Sequence, residues 1–151
     1  MAIDGVKIID SDTGYDIYNY VIGSYKDGVS VDKIVETMLA EEKDYCIDDF
    51  YSEIYWTALA YSLWKIGHLP DDVKEKTIGI IKKGADEFWL EIDGNALKQR
   101  QKNLDKLAIQ LENENPKPVK VPKSKTTRKP YFQTGDVLAI KFDDEYGVCF
   151  V

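Results

Sequence analysis

Residues 48–67, DDFYSEIYWTALAYSLWKIG, decide the fold. Phe50, Ile54, Tyr55, Ala58, Leu59, Leu63 and Ile66 recur at helical spacing on one face, with Tyr51, Trp56, Tyr61 and Trp64 around it. A helix with so little polar surface must be enclosed by other helices. Asp48 and Asp49 sit at its positive N-terminal end, and Gly67 suits the left-handed position that closes a helix. The spacing predicts a central helix over 48–66.

Shorter amphipathic units flank it on both sides. Upstream, Asp12 or Ser11 can cap a helix over 13–26, with Ile17, Tyr18, Val21, Ile22 and Tyr25 on one face and Gly28 at its end. Ser30 caps the next, over 30–44, whose stripe is Val31, Ile34, Val35, Met38 and Leu39. Downstream, Pro70 fits the first turn of a helix over 70–83, beside Asp71 and Asp72; Val73, Ile78, Ile80 and Ile81 face inward and Gly84 ends it. Residues 85–92 read as a short helical piece. Asn95 can cap a last helix over 95–113, with a thin stripe of Leu97, Leu104, Leu107 and Leu111. Residues 1–10 read as a short strand or an ordered arm. Short connections favour antiparallel neighbours, so residues 1–113 form a mainly α domain, a compact bundle of five or six helices.

The chain changes character after Asn113. Residues 116–130, PKPVKVPKSKTTRKP, make 114–130 a basic, proline- and lysine-rich linker, expected to be solvated and extended. In 131–151, Val137 to Phe142 reads as a strand, Asp143 to Glu145 as a turn, and Tyr146 to Val151 as a returning strand. A two-stranded hairpin is marginal in water by itself. It must pack on the bundle, pair in a homodimer, or open a β-domain that is incomplete at Val151.

Charge is divided unevenly. The chain holds 27 acids and 20 Lys+Arg. Five acids and seven bases fall in 114–151, which leaves 22 acids and 13 bases, net -9, in 1–113. Such a domain repels nucleic acid unless it imitates it. Cys46 and Cys149 lie in different segments and fit reduced thiols of the cytoplasm. His68 is the single histidine, which argues against a zinc site. The N-terminus has no signal-peptide pattern, and no apolar run approaches a membrane span. A cytoplasmic protein without metal or cofactor is expected.

Candidate sites are few. Glu41, Glu42, Asp44, Asp48 and Asp49 surround Tyr45 and Cys46 in an acidic run that could meet a basic partner. Asp71, Asp72, Glu75 and Glu112 extend that surface over the fourth and last helices. A calcium-loop pattern, a phosphate-cradling glycine loop and a nucleophile elbow are all missing. The aromatic cluster of the central helix reads as core whose tyrosine hydroxyls reach the surface. His68 reads as structural, and Asp10, Asp12 and Asp16 as capping groups.

Two motifs resemble known families. Asp10, Asp12, Thr13, Asp16 and Gly28 precede a two-helix unit. Tyr55, Trp56, Thr57, Ala58, Leu59, Ala60, Trp64, Lys65, Gly67, Leu69, Val73, Ile80, Ile81, Gly84 and Asp86 then follow in a pattern similar to a DUF4259-like bacterial helical domain. The Trp-Gly opening usual there is absent. Gly135, Asp136, Val137, Ala139, Ile140, Tyr146, Gly147 and Val151 resemble the start of an immunity-protein-26-like β-domain. The resemblance implies a non-enzymatic, toxin-neutralising protein that blocks a basic toxin or nuclease by surface complementarity. Two alternatives stand beside it. One is a phage or mobile-element inhibitor imitating nucleic acid, with acids in two rows. The other is an enzyme using His68 or a tyrosine with a carboxylate.

Overall fold

A computed structural model of the chain describes residues 3–122, 137–142 and 145–150. The protein is mainly helical. Among the described residues six helices occur: α1 (Asp12–Lys26), α2 (Val31–Tyr45), α3 (Asp49–Lys65), α4 (Asp71–Lys82), α5 (Trp89–Ile92) and α6 (Ala96–Glu112). Residues up to Val121 make one compact unit, and Pro122–Val151 are a separate one. In the second, β1 (Val137–Phe142) and β2 (Glu145–Phe150) pair antiparallel, with Val137 opposite Phe150 and Phe142 opposite Glu145. Of the turn expected at 143–145, residues 143 and 144 lie outside the described residues and Glu145 begins β2; residues 123–130 of the linker also lie outside them.

Enclosure of α3 is the organising fact. Eleven of its residues are buried, from Phe50 to Leu63, and they point in all directions around its axis. Helices α1, α2, α4 and α6 all pack against it. Its apolar side chains join Ile17, Val21, Ile34, Met38, Val73, Ile81, Leu104, Leu107 and Leu111 in one core. Phe50, Ile54, Trp89 and Ala96 form a second, smaller cluster at the N-terminal end of α3. Buried hydroxyls are satisfied locally: Thr57 donates to the Glu53 carbonyl at 2.6 Å and Ser62 to that of Ala58 at 2.6 Å. Thr77 also donates across to the Trp56 carbonyl at 3.2 Å, tying α4 to α3.

Caps mark the helix starts. Ser11, not Asp12, caps α1, accepting from the Gly14 amide at 3.0 Å. Ser30 caps α2 through the Lys33 amide at 3.3 Å, and Asp48 caps α3 through the Tyr51 amide at 2.8 Å. Pro70 stands at the N-cap of α4, one residue before the first turn, where Asp71 and Asp72 complement the dipole. Asn95 occupies the N-cap of α6 but makes no side-chain cap bond. Its own amide is taken by Asp93 Oδ1 at 2.8 Å. Residues 85–92 are less helical than their pattern suggests: only Trp89–Ile92 form α5, because Asp86 Oδ1 turns back to the Phe88 amide at 2.9 Å.

The end of α3 is held from two directions. Gly67 has φ 76° and its amide reaches the Trp64 carbonyl, while the His68 amide reaches that of Leu63. This pair of bonds is a Schellman closure. Residues 113–119 then run back across it. Asn115 Nδ2 donates to the carbonyls of Trp64 (3.3 Å) and Lys65 (3.1 Å), and the Val119 amide to Lys65 (2.9 Å). Trp64 Nε1 donates to the Asn113 carbonyl at 2.7 Å. The helical unit therefore continues to Val121, past the expected boundary at 113. The Lys65 carbonyl is left without a helical partner and the segment supplies one, while the Trp64 carbonyl, already taken by the Gly67 amide, gains a second. A Cβ on Gly67 would stand 3.0 Å from Pro118 Cβ. Gly67→Ala should cost about 1–2 kcal/mol from the left-handed backbone alone, read as a lower midpoint in a thermal melt. An unchanged midpoint would show that the turn relaxes without cost.

Candidate functional site

The expected acidic surface occupies two places. Glu41, Glu42 and Asp44 lie in the last turns of α2, while Asp48 caps α3 and Asp49 begins it. All are exposed except the half-buried Glu42. Asp71, Asp72 and Glu75 lie at the start of α4 and Glu112 at the end of α6, all exposed. The full length of α3, about 25 Å, separates Asp49 from the connection that leads to Asp71. The two groups also differ in balance. Lys74 Nζ stands 3.6 Å from Glu112 in the second. Among the described residues no carboxylate of the first group joins an ion pair.

Residues 86–93 complete the first group, although nothing in their spacing marked them. The Asp86 amide donates to Glu53 Oε2 at 2.9 Å, and the Phe88 ring lies 4.7 Å from that of Phe50. Asp86, Glu87, Glu91 and Asp93 are thereby held beside the start of α3. Residues 44–52 and 86–93 together carry seven carboxylates and neither lysine nor arginine. Apolar side chains stand among them: Ile47 is 70% exposed, Phe88 44% and Ile92 41%. A groove runs between, with Glu42, Asp49, Asp86 and Glu87 on its walls and Lys76 and Lys83 along the α4 side. Lys76 Nζ lies 5.2 Å from the centre of the Trp56 ring.

This end is anchored by a buried ion pair that the sequence reading passed over. Arg100 Nε donates to Glu53 Oε1 at 2.7 Å, and both side chains are almost wholly buried, at 0% and 3% exposed. Trp89 Nε1 shares the same oxygen at 3.1 Å, and the guanidinium lies 4.7 Å from the Trp89 ring centre. Arg100 also reaches Thr57 Oγ1 and the carbonyls of Val6 and Lys7. Burial pushes the guanidinium below its ordinary value, and Glu53 opposes that shift. An arginine stays charged through such a shift. Both Glu53 oxygens are occupied, so the pair is a fastening for 85–93 rather than a reactive group.

The remaining candidates fall as follows. Tyr55 is fully buried and its hydroxyl donates to the Met38 carbonyl, so that hydroxyl does not reach the surface. Burial, then the neighbouring Cys46 and Glu42, raise it above the ordinary tyrosine value. Burial likewise pushes the Cys46 thiol up, against a hydrogen bond from Ser52, which disfavours the nucleophilic thiolate. His68 is exposed in the α3–α4 corner, its Nε2 3.4 Å from the Tyr25 hydroxyl. Among the described residues, no group of three or more His, Cys, Asp or Glu is placed to hold a metal, and no helix is long and apolar enough to cross a membrane. No protein-family model, curated protein or solved structure matches the chain.

Proposed function

We propose that the chain is a non-enzymatic binding protein that neutralises a basic protein, in the manner of an immunity protein facing a toxin in the cytoplasm. The observation that carries this reading is the acidic end of the helical unit, where the seven carboxylates of 44–52 and 86–93, segments that hold no lysine or arginine, stand among exposed apolar side chains, with Lys76 and Lys83 along one wall of the groove. Carboxylates of one sign speed and orient the encounter with a basic surface, and apolar contacts at the centre retain it. The sequence resemblance to a DUF4259-like domain, followed by the opening of an immunity-protein-26-like β-domain, supports the same role. The group at Asp71, Asp72, Glu75 and Glu112 is the weaker half of the surface, since Lys74 offsets part of its charge.

The whole chain used as bait, against the products of genes beside its own expressed one at a time, tests this. Stoichiometric capture of a toxin-like basic protein is expected, with association slowing about tenfold or more as salt is raised from low to physiological levels. Asp44→Lys with Asp49→Lys should slow it similarly, whereas Asp71→Asn with Asp72→Asn should change it little. Salt-insensitive binding would overturn the acidic-surface mechanism.

A further inference from the structure

We infer that the partner's contact is made on an apolar ridge formed by Tyr51, Phe88 and Ile92, and that its occupant is a lysine- or arginine-rich segment carrying an apolar anchor. The inference rests on the protein-binding reading and names the class of partner segment and the place where it docks. Phe88 and Ile92 are one helical turn apart and so lie on the same side of the α5 turn. The Phe88 ring meets Phe50 at 4.7 Å, and Phe50 meets Tyr51 at 5.5 Å. Phe50 is buried, while Tyr51 is half-buried and Phe88 and Ile92 are exposed. Tyr51 packs against the smaller core cluster and Phe88 meets it through Phe50, so the ridge extends that cluster to the surface.

Charge selects the occupant. Asp48 and Asp49 border the ridge on α3, and Glu87, Glu91 and Asp93 border it on the α5 segment. Lys76 and Lys83 line the neighbouring groove from the α4 side, and Arg100 beneath Trp89 is already paired with Glu53. A purely apolar partner would have to desolvate this ring of carboxylates without compensation, and an acidic one would be repelled. A segment with basic residues flanking an apolar anchor satisfies both parts of the surface. The scaffold beneath is stiff, because Trp89, between Phe88 and Leu90, is buried and bonded to Glu53.

The test is an amide chemical-shift titration of the isotope-labelled full chain with three short probe peptides of equal length. One alternates arginine and leucine, one alternates arginine and serine, and one alternates glutamate and leucine. The arginine–leucine peptide is expected to shift amides in 45–52 and 86–93, and to bind about tenfold or more tightly than the arginine–serine peptide. Ile92→Ser should reduce that preference while leaving the thermal midpoint near wild type, Phe88→Ser should reduce it with a lower midpoint because its ring packs on Phe50, and Glu87→Lys with Glu91→Lys should weaken both basic peptides. Equal binding of the two arginine peptides, or of the glutamate peptide, would overturn the ridge. Shifts confined to the Asp71–Glu75 end would overturn it while leaving the protein-binding reading intact. Sedimentation of the full chain alone covers the other occupants. A dimer abolished by Phe88→Ser would assign the ridge to a second copy. Shifts at 137–150 caused by Phe88→Ser without peptide would assign it to the chain's own second unit. Either result would overturn the proposal.

Discussion

Glu53→Gln is expected to reduce the free energy of unfolding by about 3–5 kcal/mol, the usual consequence of leaving one member of a buried ion pair without its partner. Among the described residues Arg100 forms no second ion pair, although Asp10 also favours its charge; its remaining hydrogen-bond partners are Thr57 Oγ1 and the carbonyls of Val6 and Lys7. A glutamine would also turn an amide group toward one of three donors, namely Arg100 Nε, Trp89 Nε1 and the Asp86 amide. On the scale of a small domain's total stability this is a large share. Urea unfolding measures it. Replacing both members, Glu53→Leu with Arg100→Met, should cost less than either single change, because no charge is then stranded. A single-variant loss under about 1 kcal/mol would mean that water reaches the guanidinium.

Ending the chain at Asn113 is expected to cost about 2–4 kcal/mol, from three hydrogen bonds at about 1 kcal/mol each and the lost packing of Val119. The bonds are those from Asn115 Nδ2 and the Val119 amide to the last carbonyls of α3. Val119 packs against the main core, which adds an apolar contribution. Ending the chain at Val121 instead should preserve the midpoint of the helical unit. Equal midpoints for the two truncations would show that water serves those carbonyls as well as this strap of residues 114–119 does.

Most helix starts could be read in advance because a cap is a local device. Ser11, Ser30 and Asp48 act on amides three residues ahead, so sequence contains both partners. Apolar spacing likewise exposed the enclosure of α3. The Glu53–Arg100 pair was legible only in part. Arg100 stands in register with Ala96, Leu104, Leu107 and Leu111, a buried stripe, and a charged residue there needs a buried counter-charge. Which acid supplied it depended on tertiary packing. The strap was missed for a different reason: proline and lysine dominate its composition, while Asn115 and Val119 make its contacts. Of the acidic surface, the α2–α3 part could be found as a run of like charges. Its second half, 86–93, joins it through tertiary contacts alone, those of Asp86, Phe88 and Trp89 with Phe50 and Glu53.

The contacts of Arg100 also set an order of events during synthesis. Glu53 is made 47 residues before the cation that neutralises it, and the carbonyl of Val6 waits 94 residues for the same guanidinium. While the chain is growing, the N-terminal end of α3 therefore holds a lone carboxylate whose burial is opposed by desolvation. Helices α1 to α4 can form and associate, but the core cannot close dry around Glu53 until α6 has left the ribosome. Such long-range dependence slows folding. It also makes consolidation of the helical unit a single late step that a nascent chain lacking α6 cannot complete.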